Sequence, residues 1–294
     1  MPTIAIIGAT GEVGYRLVQA LHSSYRLVAI VRDRNKRDFE RYPGVHVQHV
    51  ADITDVDNLA RAFADCDAIV NAGYIWFAEF ILGAILKNGG AIRHIVFTGS
   101  TGIHTALPSA SAERKRAAEQ FIENRFHCPW TIIRPTMIYG HKDDRNISRL
   151  VKAIARYPLM PLIGNGRSLI QPVLIHDLVK AYGTALLDPK YYGKSYDIGG
   201  GKAYSNRALI GCAARSMGRR ATLIPIPSSL VHGAVILLST MGLSPVSQEQ
   251  VRRFQEDKDI DLTAFIKDFD YVPRNFEQGV EFLVDDLKAH GLLR

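Results

Sequence analysis

Two hydrophobic rhythms alternate along the first half of the chain. Short apolar runs rich in β-branched residues recur at Thr3–Gly8, Leu27–Val31, Val45–Val50, Ala68–Asn71, His94–Thr98 and Trp130–Arg134. Runs of this length and composition predict buried strands. Between them, apolar positions fall at helical spacing over Val13–Leu21, Val56–Phe63, Phe77–Leu86 and Ala112–Asn124. Strands that alternate with helices need crossover connections, which lay the strands parallel. The expected fold is therefore α/β, a doubly wound parallel sheet (Rossmann fold) with a smaller C-terminal substrate lobe.

After Pro135 the rhythm breaks. Gly140–Asn146 and Pro158–Gly166 read as loops and Gln171–Ile175 as a strand, and Asp177 is expected to cap a following helix. Ser195–Ile198 reads as a further short strand running into Gly199-Gly200-Gly201, followed by several helices and a turn region at Phe269–Pro273. The expected division is a nucleotide-binding domain over residues 1–135 and a substrate lobe over 136–294, with about 170–200 returning to the main sheet.

Composition adds bounds rather than a function. Hydrophobic residues make up 47% of the 294 and charged residues 22%, as in ordinary globular proteins, so a disordered or fibrous chain is excluded. The net charge of +7 can draw anionic ligands but is diagnostic of none. Cys66, Cys128 and Cys212 are odd in number, widely spaced and outside any metal-ligand pattern. They read as reduced thiols in a cytoplasmic protein, with no metal expected. A strand begins almost at once, and no export signal is visible. No Asp, Glu, Lys or Arg occurs between Arg220 and Glu249, and residues 230–243 are strongly apolar. That stretch of 14 residues is bracketed by Pro225, Pro227 and Pro245 and falls short of the ~20 needed to span a bilayer. It reads as a buried helix, or as a peripheral membrane or partner contact.

The strongest chemical signal is Gly8-Ala9-Thr10-Gly11-Glu12-Val13-Gly14, set between a strand and a helix. Glycines so placed turn the chain sharply and let backbone N–H groups and the helix dipole meet a pyrophosphate. The context on both sides favours a dinucleotide loop over a plain tight turn. Gly8, Thr10, Gly11, Glu12, Val13 and Gly14 are thus expected at the cofactor. At the end of the second strand stand Val31-Arg32-Asp33-Arg34, where an arginine suits a ribose 2′-phosphate. Arg34, Lys36 and Arg37 add positive field, which favours NADP(H). Asp33 offers the alternative of NAD(H), and a solvated loop is the plainer reading of the whole run.

Taken together, these motifs resemble the short-chain dehydrogenase/reductase superfamily in its extended, atypical, epimerase/dehydratase-like branch. The spacing of Gly8, Gly11 and Gly14 is that superfamily's version of the loop. Asp52-Ile53 resembles its adenine contact, and Asn71-Ala72-Gly73 its strand-four cofactor motif. Phe97-Thr98-Gly99-Ser100 resembles the strand-five segment, which implies Thr98 at the cofactor and Ser100 in the catalytic group. Lys115 with Glu119 resembles the active-site helix, and residues 133–140 the strand-six motif that sets Pro135 and Ile138 beside the nicotinamide. Pro172–Leu178 and Tyr196–Gly200 match epimerase/dehydratase segments, so the resemblance covers nearly the whole chain.

One departure bears on chemistry. The family's proton donor is a tyrosine four residues before the lysine, and that position is Ser111 here. A serine hydroxyl is far too weak an acid to replace a phenol. Either another group serves, with Tyr139 or His104 the candidates beside Ser100 and Lys115, or catalysis is lost and the domain binds NADP(H) as a sensor or accessory subunit. Lys115 can also be read as part of a solvated basic helix face. A third reading is a membrane-surface enzyme for a quinone or lipid-like substrate. The leading expectation is an NADP-dependent oxidoreductase, epimerase or dehydratase acting on a carbonyl-containing small molecule.

Other residues carry less. His176-Asp177 suggests a dyad, though Asp177 as a cap is the simpler role. His46 and His49 fall on opposite faces of one strand and make no metal pair. Arg145 and Arg149 can share a helix face near a substrate phosphate or lie on plain surface. The run 32–41 mixes charges and has few aromatics, so nucleic acid is not an expected partner. By resemblance, Phe77–Leu86 and Ala112–Asn124 are the helices through which a homodimer would form.

Overall fold

The computed structural model describes residues 1–33, 36–89, 92–227, 229–230 and 256–293. The first half runs β1 (Thr3–Ile7), α1 (Glu12–Leu21), β2 (Arg26–Val31), β3 (Val45–His49), α2 (Val56–Ala62), β4 (Ala68–Asn71), α3 (Ala78–Lys87), β5 (His94–Thr98), α4 (Ala110–Arg125) and β6 (Trp130–Pro135). The second half continues β7 (Ile138–Tyr139), α5 (Ile147–Arg156), β8 (Leu159–Ile163), β9 (Leu169–Ile170), β10 (Val173–Leu174), α6 (Ile175–Ala185), β11 (Lys194–Ile198), β12 (Tyr204–Ser205), α7 (Asn206–Ser216) and β13 (Thr222–Ile226). Beyond residue 256 come α8 (Thr263–Phe269) and α9 (Phe276–Ala289).

The main sheet has seven strands in the order β11-β6-β5-β4-β1-β2-β3, and every pairing is parallel. Its inner strands β1, β4 and β5 read as nearly continuous apolar runs because helices cover both faces. Ile4 and Ile6 point to the side packed by α1 and α6, whereas Ala5 and Ile7 point to the side packed by α2, α3 and α4. The strand order reverses between β1 and β4, and the crevice beyond the carboxyl ends of such strands is where an open α/β sheet binds ligands. A third apolar cluster, with Val151, Leu162, Leu209 and Phe276, builds the C-terminal lobe.

Several second-half expectations are corrected. Pro158–Gly166 is not all loop: β8 lies within it and pairs in parallel with β13, some 60 residues downstream. The strand expected at Gln171–Ile175 shrinks to β10, which pairs with β7. Asp177 does not cap a helix, because α6 starts at Ile175 with Leu174 at its N-cap. The Asp177 carboxylate instead accepts hydrogen bonds from the Arg274 backbone (2.8 Å) and guanidinium (2.6 Å), tying the approach to α9 against α6. His176 packs against Phe282, with ring centroids 5.7 Å apart, while the Asp177 carboxylate goes to Arg274 rather than to a dyad with His176. Arg145 precedes α5 while Arg149 lies within it, and both are exposed. The apolar stretch expected as a helix falls, from residue 231 on, outside the described residues. Among the described residues, no helix is long and apolar enough to cross a membrane.

Candidate cofactor and substrate site

The chain leaves β1 through Gly8 at φ +76°, and the Gly11 N–H closes a turn onto the Gly8 carbonyl at 2.9 Å before α1 begins. A Cβ on Gly14 would stand 2.3 Å from that carbonyl oxygen, so only glycine lets the first turn of α1 pack onto the loop. Over this loop lies a cavity of about 650 Å³. Gly8, Thr10 and Gly11 line it from the loop, Arg32 from the end of β2, Asp52 and Ile53 from beyond β3, and Ala72 and Gly73 from beyond β4. Hydrogen bonds from the Thr54 backbone and side chain hold the Asp52 carboxyl below the usual range. Open backbone amides at a helix start, with cations near the β2 end, are the features a dinucleotide pyrophosphate and ribose require. The residues present fit such a cofactor.

Lys36, Tyr74 and Phe77 also line this cavity. Lys36 had a sequence signal only as part of the basic run after β2. Tyr74 and Phe77 had none, because a short 3-10 turn at Ile75–Phe77 brings them in. Other expected residues stand behind the wall. Asn71 is fully buried, accepts from the Gly73 N–H (3.0 Å) and donates to the Tyr74 carbonyl (3.1 Å), shaping the β4 loop. Thr98 donates to the Asn71 carbonyl at 2.7 Å. Val13 and Ile138 pack against the main core, and Pro135 is buried.

Glu12 and Arg37 are displaced from their expected places. They pair with each other at 2.5 Å, with the Arg37 guanidinium 4.6 Å from the centre of the Tyr15 ring. Both face a separate cleft on the flank of α1. Burial pushes the Glu12 carboxyl up, but His141, Arg37 and Arg16 outweigh it and hold the acid below its usual range. Arg37 is thus engaged by Glu12, and among the described residues the cations that line the cofactor cavity are Arg32 and Lys36.

A second cavity, about 280 Å³, lies beyond the carboxyl ends of β5 and β6 and is walled by residues 256–260. Ser100, His104 and Thr136 line it. Ser100 caps the 3-10 turn Thr101–His104, its Oγ accepting from the Gly102 N–H at 3.2 Å. Arg116 on α4 pins this turn by donating to the carbonyls of Ile103 (2.8 Å) and Thr105 (3.0 Å). Across the cavity, the Glu256 carboxylate accepts from the Thr105 hydroxyl (2.7 Å) and the Ala106 N–H (3.0 Å). The wall is further tied to β9 by the Leu169 N–H, which donates to Asp257 at 2.8 Å.

The other expected catalytic residues do not join Ser100. Tyr139 is fully buried in the C-terminal lobe, its ring 5.2 Å from that of Phe276 and its hydroxyl without a hydrogen-bond partner among the described residues. Burial drives its phenol well above the usual range, with the nearby Asp177 charge adding to the rise. A sealed phenol of this kind exchanges no proton with a ligand, so Tyr139 is corrected to a packing residue. Lys115 is half-buried and Ser111, one turn earlier on α4, is exposed; neither lines either cavity.

The sequence pattern of the NAD(P)H-binding family matches residues 8–154, beginning at the first glycine of the loop. The chain belongs to this family. The parallel sheet agrees with the fold of solved epimerases and dehydratases. The chain is 28% identical over 225 residues to the mitochondrial NADH dehydrogenase (ubiquinone) 1 alpha subcomplex subunit 9 of Arabidopsis thaliana, covering 69% of this chain and 55% of that one. It therefore spans about half the length of that relative. It is 22% identical to the N-acetyl-alpha-D-glucosaminyl-diphospho-ditrans,octacis-undecaprenol 4-epimerase of Escherichia coli O157:H7, over 95% of this chain and 93% of that protein. The fold is similar to a UDP-glucuronic acid 4-epimerase of Bacillus cereus solved with NAD and a fluorinated UDP-sugar, with a TM-score of 0.74, 18% identity, and coverage of 98% and 99%. This NAD(P)H-binding chain thus has a Rossmann sheet, with the glycine loop and its cavity at the carboxyl ends of the strands.

Proposed function

We propose that the protein is an NADP(H)-dependent oxidoreductase, or a related epimerase or dehydratase, acting on a carbonyl-containing small molecule. The observation that carries this reading is the pair of cavities along one edge of the sheet. One is floored by the glycine loop and carries Arg32 and Lys36, and the other is opened by Ser100 at the end of β5. Arg32 and Lys36 supply the charge that a ribose 2′-phosphate needs and a bare 2′-hydroxyl does not. When bound, the nicotinamide supplies or takes a hydride. The Ser100 hydroxyl, which already accepts from Gly102, keeps its own proton to donate to a substrate oxygen. Sugar 4-epimerases among the relatives make nucleotide-linked sugars the first compounds to screen.

Ser111 standing where the family pattern has tyrosine is part of this reading. The acid must then come from another residue, one that lines the second cavity.

Fluorescence titration with NADPH and, separately, NADH tests the proposal. Tighter binding of NADPH is expected, with Arg32→Ala weakening NADPH by about tenfold and leaving NADH nearly unchanged, the loss of one charge-assisted contact. Binding of neither nucleotide would sink the reading. Binding without turnover of any carbonyl or nucleotide-sugar substrate would leave a cofactor-binding protein and remove the enzyme.

A further inference from the structure

His104 closes the 3-10 turn that Ser100 opens, so one rigid turn carries both side chains to the wall of the second cavity. The His104 Nε2–H donates to Asp197 Oδ2 at 2.7 Å. A carboxylate only accepts, so this bond fixes the ring tautomer and leaves Nδ1 as the nitrogen for a ligand. Asp197 projects from β11, whose parallel pairing with β6 sets it beside Arg134. The Arg134 guanidinium stands 3.7 Å from Asp197 Oδ1, a buried oxygen with no hydrogen-bond partner among the described residues. Arg134 is itself gripped by the buried Glu119 of α4 through bonds of 2.7 to 3.1 Å. Four charged or polar side chains from α4, β6, β11 and the turn thus form one line, Glu119–Arg134–Asp197–His104, that ends at the cavity.

We propose that His104, oriented by Asp197, is the proton donor and acceptor for substrate in the second cavity, taking the place that Ser111 cannot fill. This rests on the reading of the protein as a carbonyl-processing enzyme. Asp197 acts as a positioning residue: it holds the imidazole and balances its charge when the ring is protonated, as in carboxylate–histidine pairs generally. Ser100, four residues earlier, hydrogen-bonds the same substrate oxygen. In the reducing direction the carbonyl carbon gains a hydride from the reduced nicotinamide dinucleotide, and the C=O π pair passes to oxygen. That oxygen takes the Nδ1 proton of the imidazolium. His104 is left neutral and is re-protonated by water, and alcohol oxidation runs each transfer backwards. The ligand class is a small hydroxylated carbonyl compound, because the cavity holds about 280 Å³ and hydroxyl-bearing Ser100, Thr101, Thr105 and Thr136 line it.

Two measurements on the full chain test this. First, apo-protein is treated with bromohydroxyacetone, and the alkylated residue is mapped by mass spectrometry. Labelling of His104 with saturation kinetics is expected, whereas unsaturable labelling in simple proportion to reagent would overturn the proposal. Second, His104→Ala and Asp197→Asn are compared with wild type for NADPH affinity and for turnover of whichever carbonyl substrate the wild type accepts. His104→Ala should lower kcat by about a hundredfold, with KM and NADPH affinity little changed and with rescue by added imidazole. Asp197→Asn should lower kcat without moving KM. Wild-type turnover that survives both substitutions would overturn the dyad while leaving the enzyme reading intact. Saturable labelling of His104 in a protein that turns over no carbonyl would retain the ligand-facing histidine and remove the oxidoreductase. Failure of both measurements removes both.

Discussion

His94 shows how burial decides what a polar side chain does. It is fully buried at the start of β5, where its Nδ1 accepts the Leu187 N–H at 3.0 Å. The proton therefore sits on Nε2, which donates to the Thr131 hydroxyl at 3.0 Å, and that hydroxyl donates to the Tyr191 carbonyl at 2.7 Å. Burial pushes the imidazole down to about 4 from 6.5. The unfolded chain takes up a proton as pH falls through 6.5, while the native state refuses it until near 4. Stability from this site is full above the upper value and is lost as pH drops towards the lower one, on the order of 3 kcal/mol in all. Urea denaturation between these pH values should show that slope in wild type and a flatter one in His94→Gln. A wild-type curve with no acid slope would mean the ring is not held neutral. Tyr139 makes the complementary case. Removing its orphaned hydroxyl by Tyr139→Phe should leave stability unchanged or raise it by about 1 kcal/mol, with kcat unaffected; a large loss of kcat would restore it as a donor. In sequence, Tyr139 beside a strand-six motif read as chemistry, because nothing local reveals which way a side chain faces.

At the scale of elements, the packing of β5 against β6 and α4 leaves no room at Gly99. A Cβ there would come within 2.9 Å of both Arg134 Cγ and Glu119 Oε1. Neither atom can yield cheaply, since the pair is buried and doubly hydrogen-bonded. Gly99→Ala should therefore cost about 2 kcal/mol, read as a lower denaturant midpoint with an unchanged slope. Cutting the pair by Glu119→Ala should cost about 2 to 3 kcal/mol, because it removes the charge-assisted bonds and leaves the half-buried guanidinium with Asp197 at 3.7 Å. If both variants matched wild type, the ion pair would not be the anchor of this corner. Strands of the first half such as β1, β4 and β5 were legible because they are runs of mostly apolar residues buried on both faces. β8 was not. Its buried positions are Met160 and Leu162, with Pro161 on the exposed face between them, so it resembles a loop until β13 supplies a partner. The start of α6 slipped for a similar reason. Asp177 looks like a cap by residue type, but its carboxylate is claimed by Arg274 from a segment 97 residues away.

On the scale of the whole molecule, the sheet order places the carboxyl ends of β1, β2 and β4 around one cavity and those of β5 and β6 beside another. Ligand that binds only the folded chain stabilises it by mass action. NADPH at a hundred times its dissociation constant should add about 2.7 kcal/mol, seen as a rise in Tm that NADH at equal concentration does not reach. Equal shifts with the two nucleotides would remove the role assigned to Arg32 and Lys36. The glycine spacing, the strand–helix rhythm and Arg32 at the end of β2 were readable from the sequence by itself. Each depends on neighbours along the chain: a turn, a crossover or a strand end is local, and its residue requirements are local too. Only the tertiary structure turned Arg37 onto Glu12, sealed Tyr139 in the second lobe, brought Tyr74 and Phe77 to the cofactor cavity and set Asp197 against His104. Those outcomes join residues far apart in the chain, His104 and Asp197 being 93 positions apart. They follow from which charges and faces meet when the sheet closes, and that meeting leaves no mark on the spacing of residues along the chain.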